Sequence, residues 1–173
     1  LHDDDDLISV RLTDGSKQVI LGTHDGMAIR FDEQQIRAMG RNAAGVKGIK
    51  LREGDYVVGM EVVEPDQEVL VVTENGYGKR TPESEYRIQS RGGVGLKTIH
   101  VTEKNGKMVA LKTVDGLEDV MLMTINGMII RMDIEDISVI GRSTQGVRLI
   151  RLADDERVSS VAKVLKDDSS EED

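Results

Sequence analysis

The sequence predicts an all-β fold, a β-propeller-like pinwheel assembled from four-stranded repeats of about 50 residues into a partial ring. Three observations carry this expectation. The chain repeats itself at a nearly fixed period, every repeat holds an Asx-Gly pair at the same place, and short apolar runs flank that pair.

The period shows at two places in each unit. Val19 to Gly26 (VILGTHDG) aligns with Val69 to Gly76 (VLVVTENG) and with Val120 to Gly127 (VMLMTING). Farther along, Gly40 to Val46 (GRNAAGV) aligns with Ser90 to Leu96 (SRGGVGL) and with Gly141 to Val147 (GRSTQGV), at offsets of 50 and then 51 residues. Leu7 to Val10 falls 50 residues before Val57 to Met60, and Met108 to Leu111 and Val158 to Val161 occupy the same place in later copies.

Each unit reads as β. Runs such as Val69 to Val72 and Met128 to Met132 are apolar, four to six residues long and bounded by turn residues. Asp25-Gly26, Asn75-Gly76 and Asn126-Gly127 supply the positive-φ residues of tight hairpins, and Asp14-Gly15, Asn105-Gly106 and Asp115-Gly116 mark further turns. Helical periodicity is weak, with one short helical turn expected within Asp32 to Met39. About four strands per unit is the signature of a propeller blade, which cannot bury its faces alone and must stack on neighbours. The chain opens and closes mid-unit, which suits blades that share strands. The expected organisation is one domain over residues 1–166, with units at about 1–50, 51–100 and 101–151 and a partial unit at 152–166. An acidic tail expected to be disordered follows at 167–173. The first residue is Leu1 rather than Met, which reads as a processed or excised segment.

Composition removes several function classes. The absence of cysteine excludes disulfides and thiolate metal sites and suits a reducing compartment. His2, His24 and His100 lack the spacing of a metal site, and no phosphate-cradling loop of the Walker type or nucleophile elbow occurs. No apolar run is long enough to span a membrane. Tyr86 beside Arg87 has the look of a tyrosine nucleophile, but its repeat equivalents are Ile36 and Ile137, so it reads as a core position. Four aromatic residues (Phe31, Tyr56, Tyr77 and Tyr86) make stacking on single strands an unfavourable reading.

The net charge of −9 argues against a nucleic-acid partner until its placement is considered. Asp3 to Asp6 and the five acids after Lys166 account for nine carboxylates, and without them 23 acidic residues face 23 basic ones. Each unit then divides at its Asx-Gly turn. Gly26 to Lys50 carries Arg30, Arg37, Arg41, Lys47 and Lys50 against two acids. Gly76 to His100 carries Lys79, Arg80, Arg87, Arg91 and Lys97 against two, and Gly127 to Arg151 carries Arg131, Arg142, Arg148 and Arg151 against three. Leu51 to Asn75, by contrast, is −6. Repeated in space, the basic halves are expected to form one rim that follows a phosphate backbone, and these fourteen cations are the candidate contacts. The competing reading of any one of them is an ordinary solvated strand-edge charge. Recurrence of Arg41, Arg91 and Arg142 at one repeat position favours either function or a shared packing role.

Gly40 to Leu51, Glu74 to Thr81 and Gly141 to Arg151 closely resemble the last repeats of the DNA gyrase A subunit family, and the likeness runs from Leu1 to Val164. The resemblance implies the last three repeats of a six-bladed pinwheel that wraps duplex DNA around its outer edge, followed by an acidic tail. It implies sequence-independent binding, bending and wrapping that support ATP-dependent negative supercoiling by a type II topoisomerase. The fragment itself is then non-catalytic and holds no cofactor, ATP and Mg²⁺ acting elsewhere in the holoenzyme. The implied partners are double-stranded DNA, the gyrase A N-terminal domain and the gyrase B subunit. The implied location is the nucleoid in a bacterial cytoplasm. A second copy of the fragment, completing six blades, is a further expected partner. The family's Gln-Arg-Arg-Gly-Gly-Lys-Gly box is absent; Gln89 to Gly95 (QSRGGVG) lacks its second arginine and its lysine.

Overall fold

The computed structural model describes residues 5–166; Asp3, Asp4 and the tail expected at 167–173 lie outside the described residues. Each Asx-Gly pair closes a hairpin. Asp25-Gly26 joins β1 (Gln18–Thr23) to β2 (Met27–Asp32), and Asn75-Gly76 joins β4 (Glu68–Thr73) to β5 (Tyr77–Pro82). Asn126-Gly127 joins β8 (Glu118–Thr124) to β9 (Ile129–Asp133).

The remaining strands are exchanged between units, as the mid-unit start of the chain suggested. The first sheet takes both its outer members from the second unit: β3 (Val57–Val63) pairs with β1, and the two-residue β6 (Leu96–Lys97) pairs with β2. The second sheet likewise takes β7 (Met108–Val114) and β10 (Val147–Arg148), in the order β10-β5-β4-β7. The third sheet has three strands, with β11 (Val158–Leu165) on β8 and no described strand on the outer edge of β9. Gly95 shows why the docking loop needs glycine: at φ 76°, an added Cβ would stand 2.5 Å from the Ala28 carbonyl oxygen. Gly146 makes the same approach to the Gly78 carbonyl at 2.8 Å.

Burial along the strands follows from stacking. Val69 to Thr73 of β4 is buried at every position because the middle blade is covered on both faces. Leu70 and Val72 face the third blade with Leu122, Ile137 and Val161, whereas Val69 and Val71 face the first with Ile20, Tyr86 and Leu111. In β8 burial alternates strictly, as expected of a strand covered on one side. Burying each such side chain contributes roughly 1.5–3 kcal/mol. Strand β7 packs against both β3 and β11, so these strands lie innermost, and β6 and β10, at the opposite ends of their sheets, lie at the periphery.

Two local expectations need correction. The helical turn expected only within Asp32 to Met39 is a 3-10 turn at Glu33–Gln35, and it recurs at Glu83–Glu85 and Ile134–Asp136. Asp32 and Asp133 cap theirs by accepting a side-chain hydrogen bond from the backbone N–H two residues on, and Pro82 stands at the third. Leu7 to Val10, which falls one repeat before Val57 to Met60, forms no strand. Its counterparts β3, β7 and β11 each pair with the first hairpin strand of the preceding unit, and the described residues offer Leu7 to Val10 no such partner.

Candidate nucleic-acid interface

The outer edge of the first blade is a single stretch of the second unit. Ile88 bridges Arg30 in parallel, the Gln89 N–H donates to the Arg30 carbonyl, and β6 then pairs with β2. The outer edge of the second blade is the equivalent stretch of the third unit, with Val139 bridging Arg80 and β10 on β5. These peripheral stretches carry Arg87 and Lys97 on one blade and Arg142 and Arg148 on the next.

The fourteen candidate cations fall into three sets. Arg37, Arg41, Lys47, Lys50, Arg87, Lys97 and Arg151 are exposed, and among the described residues their side chains have no hydrogen-bond or ion-pair partner. Arg148 joins them at the rim, donating from Nη2 to the Tyr77 hydroxyl at 2.9 Å.

A second set ties blades together. Arg30 donates from Nε to Gln18 at 2.7 Å and from Nη1 to the Glu83 and Tyr86 carbonyls at 2.8 and 3.3 Å, and it pairs with the Glu83 carboxylate. Arg80 does the same one unit on, donating to the Ile137 carbonyl at 2.8 Å and pairing with Glu68 at 2.6 Å. Arg131, the third equivalent, is paired with Asp119 of its own sheet at 2.6 Å. Arg91 donates to the carbonyls of Gln35 and Lys47 at 3.2 and 2.5 Å, and Arg142 donates to the Lys97 carbonyl at 2.9 Å. Arg91 and Arg142, at the same repeat position, thus bond the equivalent backbone carbonyls of Lys47 and Lys97 in the preceding unit.

Lys79 stands alone and corrects the charge count. Its side chain is fully buried, with the ammonium donating to the Gly141 and Arg142 carbonyls at 2.6 and 2.5 Å and to the Thr144 hydroxyl at 3.1 Å. Burial pulls its pKa down to about 8, against an opposing attraction from Glu85. An ammonium so enclosed is not presented to a phosphate. Its repeat equivalents, Ile29 and Ile130, were the signal that this position faces the protein.

Tyr86 is core, as its repeat position indicated. It is 1% exposed, its hydroxyl lies 2.6 Å from the Thr98 hydroxyl, and burial pushes its pKa up to about 12. A phenol held that firmly protonated is a poor nucleophile. The charge count missed Lys104 and Arg157, which lie outside the basic halves of their units yet line one cavity with Tyr77 and Arg148.

A family profile described as "DNA gyrase C-terminal domain, beta-propeller" matches residues 17–64, 67–115 and 118–164. The DNA gyrase A subunit of Staphylococcus aureus (strain MRSA252) is 57% identical over 173 residues, a span of 99% of this chain and 19% of that protein. The same protein from strain NCTC 8325 / PS 47 is 56% identical over 172 residues, again 19% of its length. The chain thus spans about one fifth of these curated relatives. Among solved structures, the C-terminal domain of DNA topoisomerase IV superposes with a TM-score of 0.90 at 30% identity, covering 95% of this chain and 52% of that one. The DNA gyrase A C-terminal domain gives 0.81 at 29% identity, covering 87% and 51%.

Proposed function

Because the chain belongs to the family of DNA gyrase C-terminal β-propeller domains, we propose that it binds duplex DNA on its outer rim, without sequence preference, and bends the duplex around the ring. The observation that carries the reading is the position of Lys97 and Arg148, equivalent cations that both stand on the outermost strands β6 and β10. Arg37, Arg41, Lys47, Lys50, Arg87 and Arg151 add exposed charge without internal partners. Point charges spread along an edge suit a phosphate backbone and read no bases. Bending the duplex by 40–90° over 20–30 base pairs costs on the order of 1–6 kcal/mol, which several phosphate contacts together must offset.

In the whole gyrase this wrap supports ATP-dependent negative supercoiling, together with the gyrase A N-terminal domain and the gyrase B subunit. The setting is the nucleoid in the bacterial cytoplasm. The gyrase assignment is favoured over topoisomerase IV by the 57% identity that the whole chain shares with a Staphylococcus aureus gyrase. A second copy of this chain is a further partner, favoured by the uncovered outer edge of β9.

The test is binding of a labelled duplex of roughly 40 base pairs across a salt series, where distributed phosphate contacts give a log–log slope of several units. Arg87→Gln and Lys97→Gln should each lower that slope by about 1. A propeller that binds proteins instead would give no duplex affinity to lose.

A further inference from the structure

Between the second and third blades the periphery is notched. Tyr77 opens β5 and faces Arg148 of β10 across the outermost ladder. The Arg148 guanidinium lies 5.5 Å from the Tyr77 ring centroid and the Lys104 ammonium 5.7 Å, so two cations rest on one ring. Tyr77, Lys104 and Arg148 line a cavity of about 330 Å³ together with Arg151 and Arg157. Asp154 and Glu156 also line it, so four cations outnumber two carboxylates.

We propose that this notch seats a backbone phosphate of a duplex carried on the rim, with Lys104 and Arg157 as contacts additional to Arg148 and Arg151. The assignment rests on the DNA-binding reading and adds a specific seat to it. The donors are available. The Lys104 ammonium and the Arg151 guanidinium make no hydrogen bond among the described residues, and Arg157 commits a single nitrogen, Nη1, to the Asp154 and Glu156 carbonyls. Arg148 is aimed by its bonds to the Tyr77 hydroxyl, which fixes a guanidinium that otherwise loses several rotamers on binding. The volume admits a phosphate with part of its sugar. The junction between the first and second blades has no equivalent: Met27, Lys97 and His100 stand where Tyr77, Arg148 and Arg151 stand here. Tyr77 and its two overlying cations therefore mark one fixed point on the rim, against which the path of the duplex is registered.

Glu156 gives the assignment an unusual control. Its side chain is buried and Oε2 has no hydrogen-bond partner, so its charge is not cancelled by a bond at that oxygen. A phosphate in the notch is repelled by it, and Glu156→Gln removes the charge while keeping the shape.

The experiment measures duplex affinity and its salt slope for the chain, for Lys104→Gln/Arg157→Gln, and for Glu156→Gln, with thermal unfolding confirming that each is folded. Losing one phosphate contact should lower the slope by about 1 and weaken binding roughly tenfold at 0.1 M salt, while Glu156→Gln should tighten it. A double variant that binds with the wild-type slope and affinity overturns the notch assignment and leaves rim binding standing. A wild-type chain that does not bind the duplex overturns the DNA-binding reading itself, and the seat with it. Replacing chloride by inorganic phosphate at equal ionic strength separates the two sources of the anion. A drop in duplex affinity in phosphate that the double variant does not show means that free phosphate competes with the duplex for the notch, and supports the proposal. Inorganic phosphate that binds the wild-type chain but not the double variant, while leaving duplex affinity unchanged, would make the notch a free-anion site and overturn it.

Discussion

The guanidinium of Arg142 donates to the backbone carbonyl of Lys97 at 2.9 Å, so a residue of the third unit holds the chain that carries a rim cation of the second. The Arg142 N–H is in turn bonded to Glu85 at 3.1 Å. Arg91 holds Lys47 in the same way at 2.5 Å. Lys47 and Lys97 are thus each held by an arginine of the following unit. Arg142→Gln is expected to lower the unfolding free energy by roughly 0.5–1.5 kcal/mol, the net contribution of one hydrogen bond whose acceptor water can reach. The salt slope of DNA binding should change little. Arg41→Gln should do the reverse, since Arg41 is exposed and has no internal partner. Denaturant unfolding and duplex titration on the two variants distinguish the roles.

Lys79 makes stability depend on pH in an uncommon direction. Its folded-state pKa, about 8, lies below the ordinary lysine value of 10.5, so between those limits the unfolded chain binds the extra proton. Stability therefore rises with pH across the window from 8 to 10.5, by up to about 1.4 kcal/mol per pH unit from this group, and the penalty is fully present below pH 8. Lys79→Met, which removes the proton, should flatten that rise relative to wild type. Comparing unfolding free energies of the two proteins at pH 7.5, 9 and 10.5 measures it; parallel curves would show that the ammonium is solvated.

Gly95 and Gly45 occupy the same repeat position with φ of 76° and 83°, but they differ in surroundings. A Cβ on Gly95 meets the Ala28 carbonyl at 2.5 Å, whereas a Cβ on Gly45 meets nothing within 4 Å. Gly45→Ala should cost only the backbone term, about 1–2 kcal/mol for a left-handed residue. Gly95→Ala should cost more and should also loosen β6 from β2, which amide exchange at Leu96 and Lys97 would report.

Much of this architecture was legible because the repeat placed each Asx-Gly hairpin three times over. The exchange of β6 and β10 was legible only as a mid-unit start. Two-residue strands carry no periodicity, and their partners lie in another unit. The rim was legible as a net charge and not as a list of contacts. Lys79, Arg30 and Arg80 count as basic in sequence but spend their charge on carbonyls, on Glu83 and on Glu68. Lys104 was hidden for the opposite reason, being a rim cation inside an acidic stretch. The signal available for Lys79 was its alignment with Ile29 and Ile130, which a charge count discards.

The outer edge of β9 gives the last prediction. Ala28 of β2 is covered by Leu96 and Gly78 of β5 by Val147, but Ile129, at the same repeat position, is 57% exposed, and Met128 beside it is 40% exposed. An apolar strand edge favours pairing with another chain. The segment Val46-Lys47 is the equivalent of Leu96-Lys97 and Val147-Arg148, and it pairs with no sheet among the described residues. Two copies can each offer Val46-Lys47 to the other's β9, and the contact closes into a ring rather than a filament if each copy spans half a turn. Light scattering at micromolar concentration should then return twice the chain mass, and Ile129→Lys should return one. A wild-type monomer would reject pairing through β9.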